Sequence, residues 1–375
     1  MNILLLENVS FIGGGQRIAL NIANALKSEH HITFSLPNFG PMSVELDKQN
    51  IPYSITGISF KGKSINLFNT INYTLRSITA LFKIAKTIRG EKIDLIYINS
   101  ARSLLQGVTL CWFYRKKAIF HVHLIYQNKV LLNVIRFLSG ARCIKKIVCV
   151  SKAVQAQFGK LQHKTLVIYN SIDHEQYQSV PSVRESTRKL LKVESDEILI
   201  GSFAAIKHAK GQHILLEALK LLADKQIRNI KCLISGNTEE ADYLQSLRDY
   251  VDQHNLTEKV TFLDYRQDLK PYYQALDILT INSIESFSLV LLEAVCFGVP
   301  VIAASGSGPE EIIQTLGMGT LYELNNAEEL SVKLKEVINE KNIGSPDYDR
   351  ILKTINKNYS QNIFINNIRN LISNW

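Results

Sequence analysis

Short, almost wholly apolar runs recur along this chain, each followed by a longer segment whose apolar residues return at three- and four-residue spacing. In the first half the runs are Ile3–Leu6, Ile32–Leu36, Leu95–Asn99, Ala118–His123 and Ile147–Val150, with amphipathic stretches such as Arg17–Lys27 and Thr74–Arg89 between them. A run without polar alternation suits a strand buried on both faces, as parallel strands are between layers of helix. The repeat therefore predicts an α/β fold built on a doubly wound parallel sheet. Leu166–Asn170 reads as one further strand and turn. A second series opens at Ile198 and continues through Cys232–Ser235, Val260–Leu263, Ile278–Ile281 and Val299–Ala303. Between the two series, His174–Asp196 is polar and contains Pro181, so a linker is expected there. At 375 residues the chain has room for two such domains.

Charge divides the chain in the same way. Residues 1–165 carry 22 Lys+Arg against 6 Asp+Glu, whereas the remainder carries 21 against 28. No acidic residue occurs from Leu95 to Ile172. A basic front half favours a polyanion, an acidic lipid surface or a diphosphate-linked substrate. Nucleic acid is not expected, because no helix-turn-helix, RNA-binding sheet motif or zinc finger accompanies the charge. The stretch Lys61–Lys86 is basic and amphipathic; it reads first as a core-packing helix and second as a membrane-surface one. No apolar run is long enough to span a membrane, and Met1–Glu7 reads as a strand rather than a signal peptide. The five cysteines form no Cys-x-x-Cys pair and read as buried thiols of a reducing cytoplasm.

The residues most suggestive of chemistry lie between Ile278 and Ile302. Ile278–Ile281 reads as a buried strand. Phe287, Val290, Leu291 and Ala294 then mark a helix starting near Ser286–Ser288. Glu285 falls in the loop beyond the strand's carboxyl end, where open α/β sheets bind ligands, and Glu293 falls about two turns into the helix. The first amides of that helix, at Ser286, Phe287, Ser288 and Leu289, favour an anion. Two carboxylates flanking an anion site suit a phosphorylated, hydroxyl-rich ligand.

Other motifs are less specific. Gly13-Gly14-Gly15 follows the first strand, but no Gly-x-Gly-x-x-Gly is present, and a plain tight turn explains it equally well. His121 and His123 alternate on a strand and so share a face. Zinc would need further ligands at fixed spacing, and none is apparent. Asn99-Ser100 ends the preceding strand and reads either as a turn or as part of a site.

Taken together, Glu285-x(7)-Glu293, Gly298-Val-Pro300-Val-Ile and Glu311 resemble the donor-site signature of retaining glycosyltransferases of family 4, which have the GT-B fold. The resemblance covers nearly the whole chain and is densest from Gly201 to Glu311. It implies two Rossmann-like domains facing a central cleft: 1–175 on the acceptor side, 176–358 on the donor side, and 359–375 as a helix crossing back. It further implies transfer of a sugar from a nucleotide diphosphate sugar to an acceptor hydroxyl, without a metal or other cofactor. Gly14 and Gly15 are similar to the family's Gly-Gly-x-Glu-Arg loop, with Gln16 in the Glu position, and the resemblance implies that they bind the donor, since that loop lies over the donor phosphates and the acceptor. His123 matches a strand-end histidine facing the reacting sugar. Lys210-Gly211 matches the diphosphate-binding lysine, while Ala205 stands where the family carries Arg, leaving Lys207 as a replacement charge that lacks a bidentate fork. Glu293 would hold ribose hydroxyls, Glu285 the donor sugar, and Lys210 the leaving diphosphate. Ser288 and Asp264 stand where glycine is usual, and Ser307-Gly308 replaces Gly-Gly. Asn170-Ser171-Ile-Asp173 resembles the family's Asn-Gly-Val-Asp junction.

The implied partners are a nucleotide-sugar donor, a lipid-linked or glycan acceptor and an anionic membrane surface. The implied location is the cytoplasm, at the inner face of the cell membrane, in cell-surface polysaccharide or glycolipid synthesis. A glycosidase pair of carboxylates would leave the lysine and the helix amides without a role. Two alternatives stay open: a GT-B epimerase or phosphorylase, and a non-catalytic sugar-nucleotide-binding subunit, which the missing Arg favours.

Overall fold

The computed structural model describes residues 1–57, 80–227, 229–339 and 347–375. Most of the expected basic segment Lys61–Lys86, and the start of Thr74–Arg89, lie outside the described residues; from Ala80 onward the chain is helical and buries Ala80, Ile84 and Ile88.

The chain forms two compact units, Met1–Asn170 with Asn362–Trp375, and Ser171–Gln361. These boundaries lie within a few residues of the divisions expected at 175/176 and 358/359. The first unit has seven strands: β1 (Asn2–Leu6), β2 (His31–Leu36), β3 (Tyr53–Ile55), β4 (Leu95–Ile98), β5 (Lys117–Val122), β6 (Ile144–Cys149) and β7 (Thr165–Val167). They pair in the order β3-β2-β1-β4-β5-β6-β7, all parallel. The chain winds outward from β1 in one direction and from β4 in the other, so strand order reverses between these two. The second unit has six: β8 (Ile198–Phe203), β9 (Ile230–Ser235), β10 (Val260–Leu263), β11 (Ile278–Ile281), β12 (Val301–Ala304) and β13 (Thr320–Tyr322). Their order is β10-β9-β8-β11-β12-β13, again all parallel, with the reversal between β8 and β11. In open α/β sheets ligands bind beyond the strands' carboxyl ends at such a reversal. Each unit therefore offers one such place.

The central strands are buried, as strands between layers of helix are. Leu4, Leu5, Ile96, Tyr97, Ile119 and Phe120 are inaccessible or nearly so, and each such aliphatic or aromatic side chain contributes roughly 1.5–3 kcal/mol on burial. The last helix, Gln361–Ser373, packs Phe364, Ile368, Leu371 and Ile372 into the first unit's core against residues of β1 and β2.

The segment expected to be a linker is instead structured. Pro at the first turn opens a helix, Pro181–Leu190, that docks on the second unit through two arginines. Arg184 and Arg188 each donate to a different oxygen of Asp277, at 2.7 and 2.8 Å, and the Leu199 amide also donates to that carboxylate at 2.8 Å. This clasp ties the helix to the ends of β8 and β11.

Candidate functional site

In the second unit the loops after β8 and β11 flank the reversal. The loop after β8 turns through His208–Lys210 and enters the helix Gln212–Asp224 at Gly211. Gly211 sits at φ +67°, and a Cβ there would lie 2.2 Å from the Asn282 carbonyl oxygen of the neighbouring loop. Only glycine permits that approach. Lys210 consequently reaches across the reversal and forms an ion pair with Glu285, which also accepts from the Ser283 hydroxyl at 2.9 Å. Gln212 is fully buried and donates to the Ala205 carbonyl at 3.0 Å, closing the β8 loop on itself.

The following helix is Leu289–Cys296, with Ser288 as its N-cap; the Ser288 hydroxyl accepts from the Leu291 amide at 3.2 Å. The remaining amides of that turn have no intrahelical acceptor by geometry. Ser286 is buried, and its carbonyl lies so close to Gly308 that a Cβ at position 308 would come within 2.3 Å. The Gly308 amide in turn donates to the Glu285 carbonyl at 2.8 Å. Phe287 packs edge-on against Tyr359. Glu293 lies little more than one turn into the helix rather than two, because the helix begins at Leu289. Its two oxygens accept from Tyr177 at 3.2 Å and Tyr273 at 2.7 Å. Burial and the adjacent Glu293 push the Tyr273 phenol well above its ordinary value, so Tyr273 remains the donor. Lys270 stands 5.2 Å over the Tyr177 ring.

Lys210 thus stands against Glu285, and the Ser286–Leu289 turn follows Glu285 directly. Lys207 does not join them. Its ammonium pairs with Glu239 at 2.8 Å, so it supplies no second cation to the Lys210–Glu285 pair. Tyr177 and Tyr273 were not singled out from the sequence, since they lie 116 and 20 positions from Glu293 and no spacing rule links them.

In the first unit a second constellation gathers at its own reversal. Glu7, directly after β1, is buried, and its carboxylate accepts from Asn99, from Gln16 at 3.1 Å and from the Asn8 amide at 3.3 Å. Gln16 in turn accepts from the Gly13 amide at 3.2 Å, folding the glycine loop over the strand end. Gly14 opens the helix Gly14–Leu26, and Gly15 offers its carbonyl to Asn99 at 3.0 Å. His123, just past β5, meets the Asn99 side-chain oxygen at 2.9 Å through Nε2. Burial holds its pKa down to about 4, so the ring is neutral. His121 lies 4.2 Å away, ring to ring, and bonds Tyr97 at 2.9 Å. Among the described residues no group of three or more His, Cys, Asp or Glu is placed to hold a metal ion.

Comparison with known proteins decides the family. The family model for glycosyl transferases group 1 matches residues 183–357, and that for Glycosyltransferase Family 4 matches residues 12–176. The chain belongs to the family-4 glycosyltransferases. Its curated relatives include an uncharacterized glycosyltransferase of Haemophilus influenzae, 27% identical over 345 residues and 88% of each chain. They also include the UDP-Gal:alpha-D-GlcNAc-diphosphoundecaprenol alpha-1,3-galactosyltransferase of Escherichia coli, 21% identical over 88% of this chain and 86% of that one. Among solved structures, Anabaena Alr3699/HepE in complex with UDP superposes with a TM-score of 0.85 at 23% identity, over 100% of both chains. The two parallel Rossmann-like sheets of this glycosyltransferase are those of the GT-B fold.

Proposed function

We propose that this glycosyltransferase moves a sugar, with retention of anomeric configuration, from a nucleoside diphosphate sugar to the hydroxyl of a lipid-linked or glycan acceptor. The observation that carries this reading is the placement of Lys210 and Glu285 across the β8/β11 reversal, beside the first turn of Leu289–Cys296 and one turn from Glu293. A diphosphate there meets an ammonium and the amino-terminal end of a helix, while the carboxylates accept from sugar and ribose hydroxyls. The bond from the anomeric carbon to the phosphate oxygen breaks as the acceptor oxygen bonds the same face. The acceptor proton passes to the leaving phosphate. Lys210 and the helix amides stabilise the charge that develops on it, so the step calls for no metal. His123, in the first unit, is read as a sugar contact from the family resemblance. HepE has been captured with UDP and with UDP-glucose, which supports a nucleotide-sugar donor of this kind.

Calorimetry with UDP, GDP, ADP and NAD provides the test. One nucleoside diphosphate should bind selectively, with at least a tenfold loss in Glu293→Ala. Binding of none, or of NAD alone, would refute the reading.

A membrane-held acceptor is supported by a surface of the first unit. The helix Lys129–Ser139 buries only Ile135 and Ser139, and leaves Val130, Leu131, Val134 and Phe137 exposed, Phe137 by 82%. The helix Leu104–Tyr114, which packs against it, exposes Trp112 and Phe113. Between Leu95 and Ile172 the chain has twelve Lys and Arg and no acid. Apolar side chains on a segment rich in cations suit an anionic bilayer surface at the inner face of the cell membrane, where cell-surface glycans are begun. Among the described residues no helix is long and apolar enough to cross a membrane. Vesicles containing anionic lipid should retain the protein at low salt and release Val134→Glu/Phe137→Glu. Failure of the wild type to bind would remove this part of the proposal.

A further inference from the structure

Glu7 has no place in the chemistry above, yet it is a buried carboxylate surrounded by donors. Its side-chain partners identify every orientation in the cluster. Asn99 sends its amide nitrogen to two acceptors, the Glu7 carboxylate and the Gly15 carbonyl, so its other end must be the oxygen. That oxygen faces His123 Nε2 at 2.9 Å, so Nε2 carries the ring's proton. Gln16 is fixed the same way: its oxygen accepts from the Gly13 amide and its nitrogen donates to Glu7 at 3.1 Å. A glutamate at position 16 would set two carboxylates against each other. This accounts for glutamine in a loop whose resemblance to the family calls for Glu.

We propose that Glu7 is a positioning residue that, through Asn99, fixes His123 as the Nε2–H tautomer and, through Gln16, locks the glycine loop beside it. The consequence is directional. His123 Nδ1, which has no partner among the described residues, is left as the ring's acceptor. His123 can then receive a hydrogen bond from a sugar hydroxyl but cannot donate one through that nitrogen. The second half of this statement rests on the reading of His123 as a sugar contact; the tautomer itself does not.

The ligand-free protein, labelled with ¹⁵N-histidine, tests it. The wild type should show His123, assigned by the signal lost in His123→Asn, with Nε2 protonated and Nδ1 not. In Glu7→Gln the carboxylate becomes an amide, Asn99 is free to turn over, and the His123 signals should shift toward the Nδ1–H tautomer while the other histidines stay in place. Asn99→Ala removes the relay without touching Glu7 and should leave the ring exchanging between tautomers rather than held in one, which covers the case in which Glu7→Gln fails to fold. The reciprocal swap Glu7→Gln/Gln16→Glu should return the glycine loop's stability toward wild type where Gln16→Glu alone lowers the melting temperature. Retention of the wild-type tautomer in the folded variants would overturn the proposal. UDP binding is titrated separately on the wild type and reports on the transferase reading alone. Loss of the relay and failure of the transferase reading are therefore separately visible.

Discussion

His121 and His123 stand ring to ring at 4.2 Å, and burial lowers the pKa of both from 6.5, His123 to about 4. Two neutral imidazoles in contact are tolerable, whereas two imidazolium ions are not. An unfolded chain takes up protons on these residues near pH 6.5, but the folded one resists until far lower. Between about 6.5 and about 4 the unfolded state binds more protons, so their contribution to stability falls as pH falls. Glu7 acts in the opposite direction: burial raises its folded pKa above 4.5, so the folded state gains from protonating it. The histidine effect is therefore best isolated as a difference. Lowering the pH from 7 to 5 should reduce the melting temperature of the wild type more than that of His123→Asn. Equal reductions would mean that the buried neutral ring is not the source. Above pH 5 the same ring should stay uncharged, so no activity limb near 6.5 should be traceable to His123.

At the level of elements, the site depends on how closely two loops approach. Gly211 has a left-handed backbone with a carbonyl 2.2 Å from where a Cβ would stand, so Gly211→Ala must push the β8 loop off the β11 loop. The cost should exceed about 1 kcal/mol of stability. Because Lys210 precedes it, nucleoside diphosphate binding should weaken as well, by tenfold or more. Unaltered binding in a calorimetric titration would show that the Lys210–Glu285 contact does not position the donor. This loop was legible in the sequence, as were the long central strands, because buried parallel strands advertise themselves as unbroken apolar runs. The edge strands β3 and β13 were not, since three residues are too few to show a period. The helix Pro181–Leu190 was mistaken for a linker because Arg184 and Arg188 look solvated until Asp277, some ninety positions away, is placed against them. Glu7 was hidden for a related reason. It follows an apolar strand as any turn residue would, and only the return of the chain at Asn99 gives its carboxylate a partner.

At the scale of the whole molecule, the chain's last helix belongs to its first unit. Phe364, Ile368, Leu371 and Ile372 join Ile3, Leu5 and Phe34 in one core, so the first unit cannot be complete until the final residues are in place. Folding of the first unit must therefore close a loop that contains the entire second unit. Such closure costs chain entropy that grows only slowly with length. Burying four large apolar side chains offsets it. Replacing Ile368, which is fully buried, by Ala should remove roughly 2–5 kcal/mol. The loss should fall on the first unit: amide exchange should accelerate in β1 and β2, and less or not at all in β8 and β11. Removal of Gln361–Trp375 should have the same pattern in stronger form, leaving nucleotide binding by the second unit in place. Equal acceleration in both units would show that they unfold as one cooperative body. Protection of β1 and β2 at wild-type levels would mean that the first unit's core holds without its terminal helix.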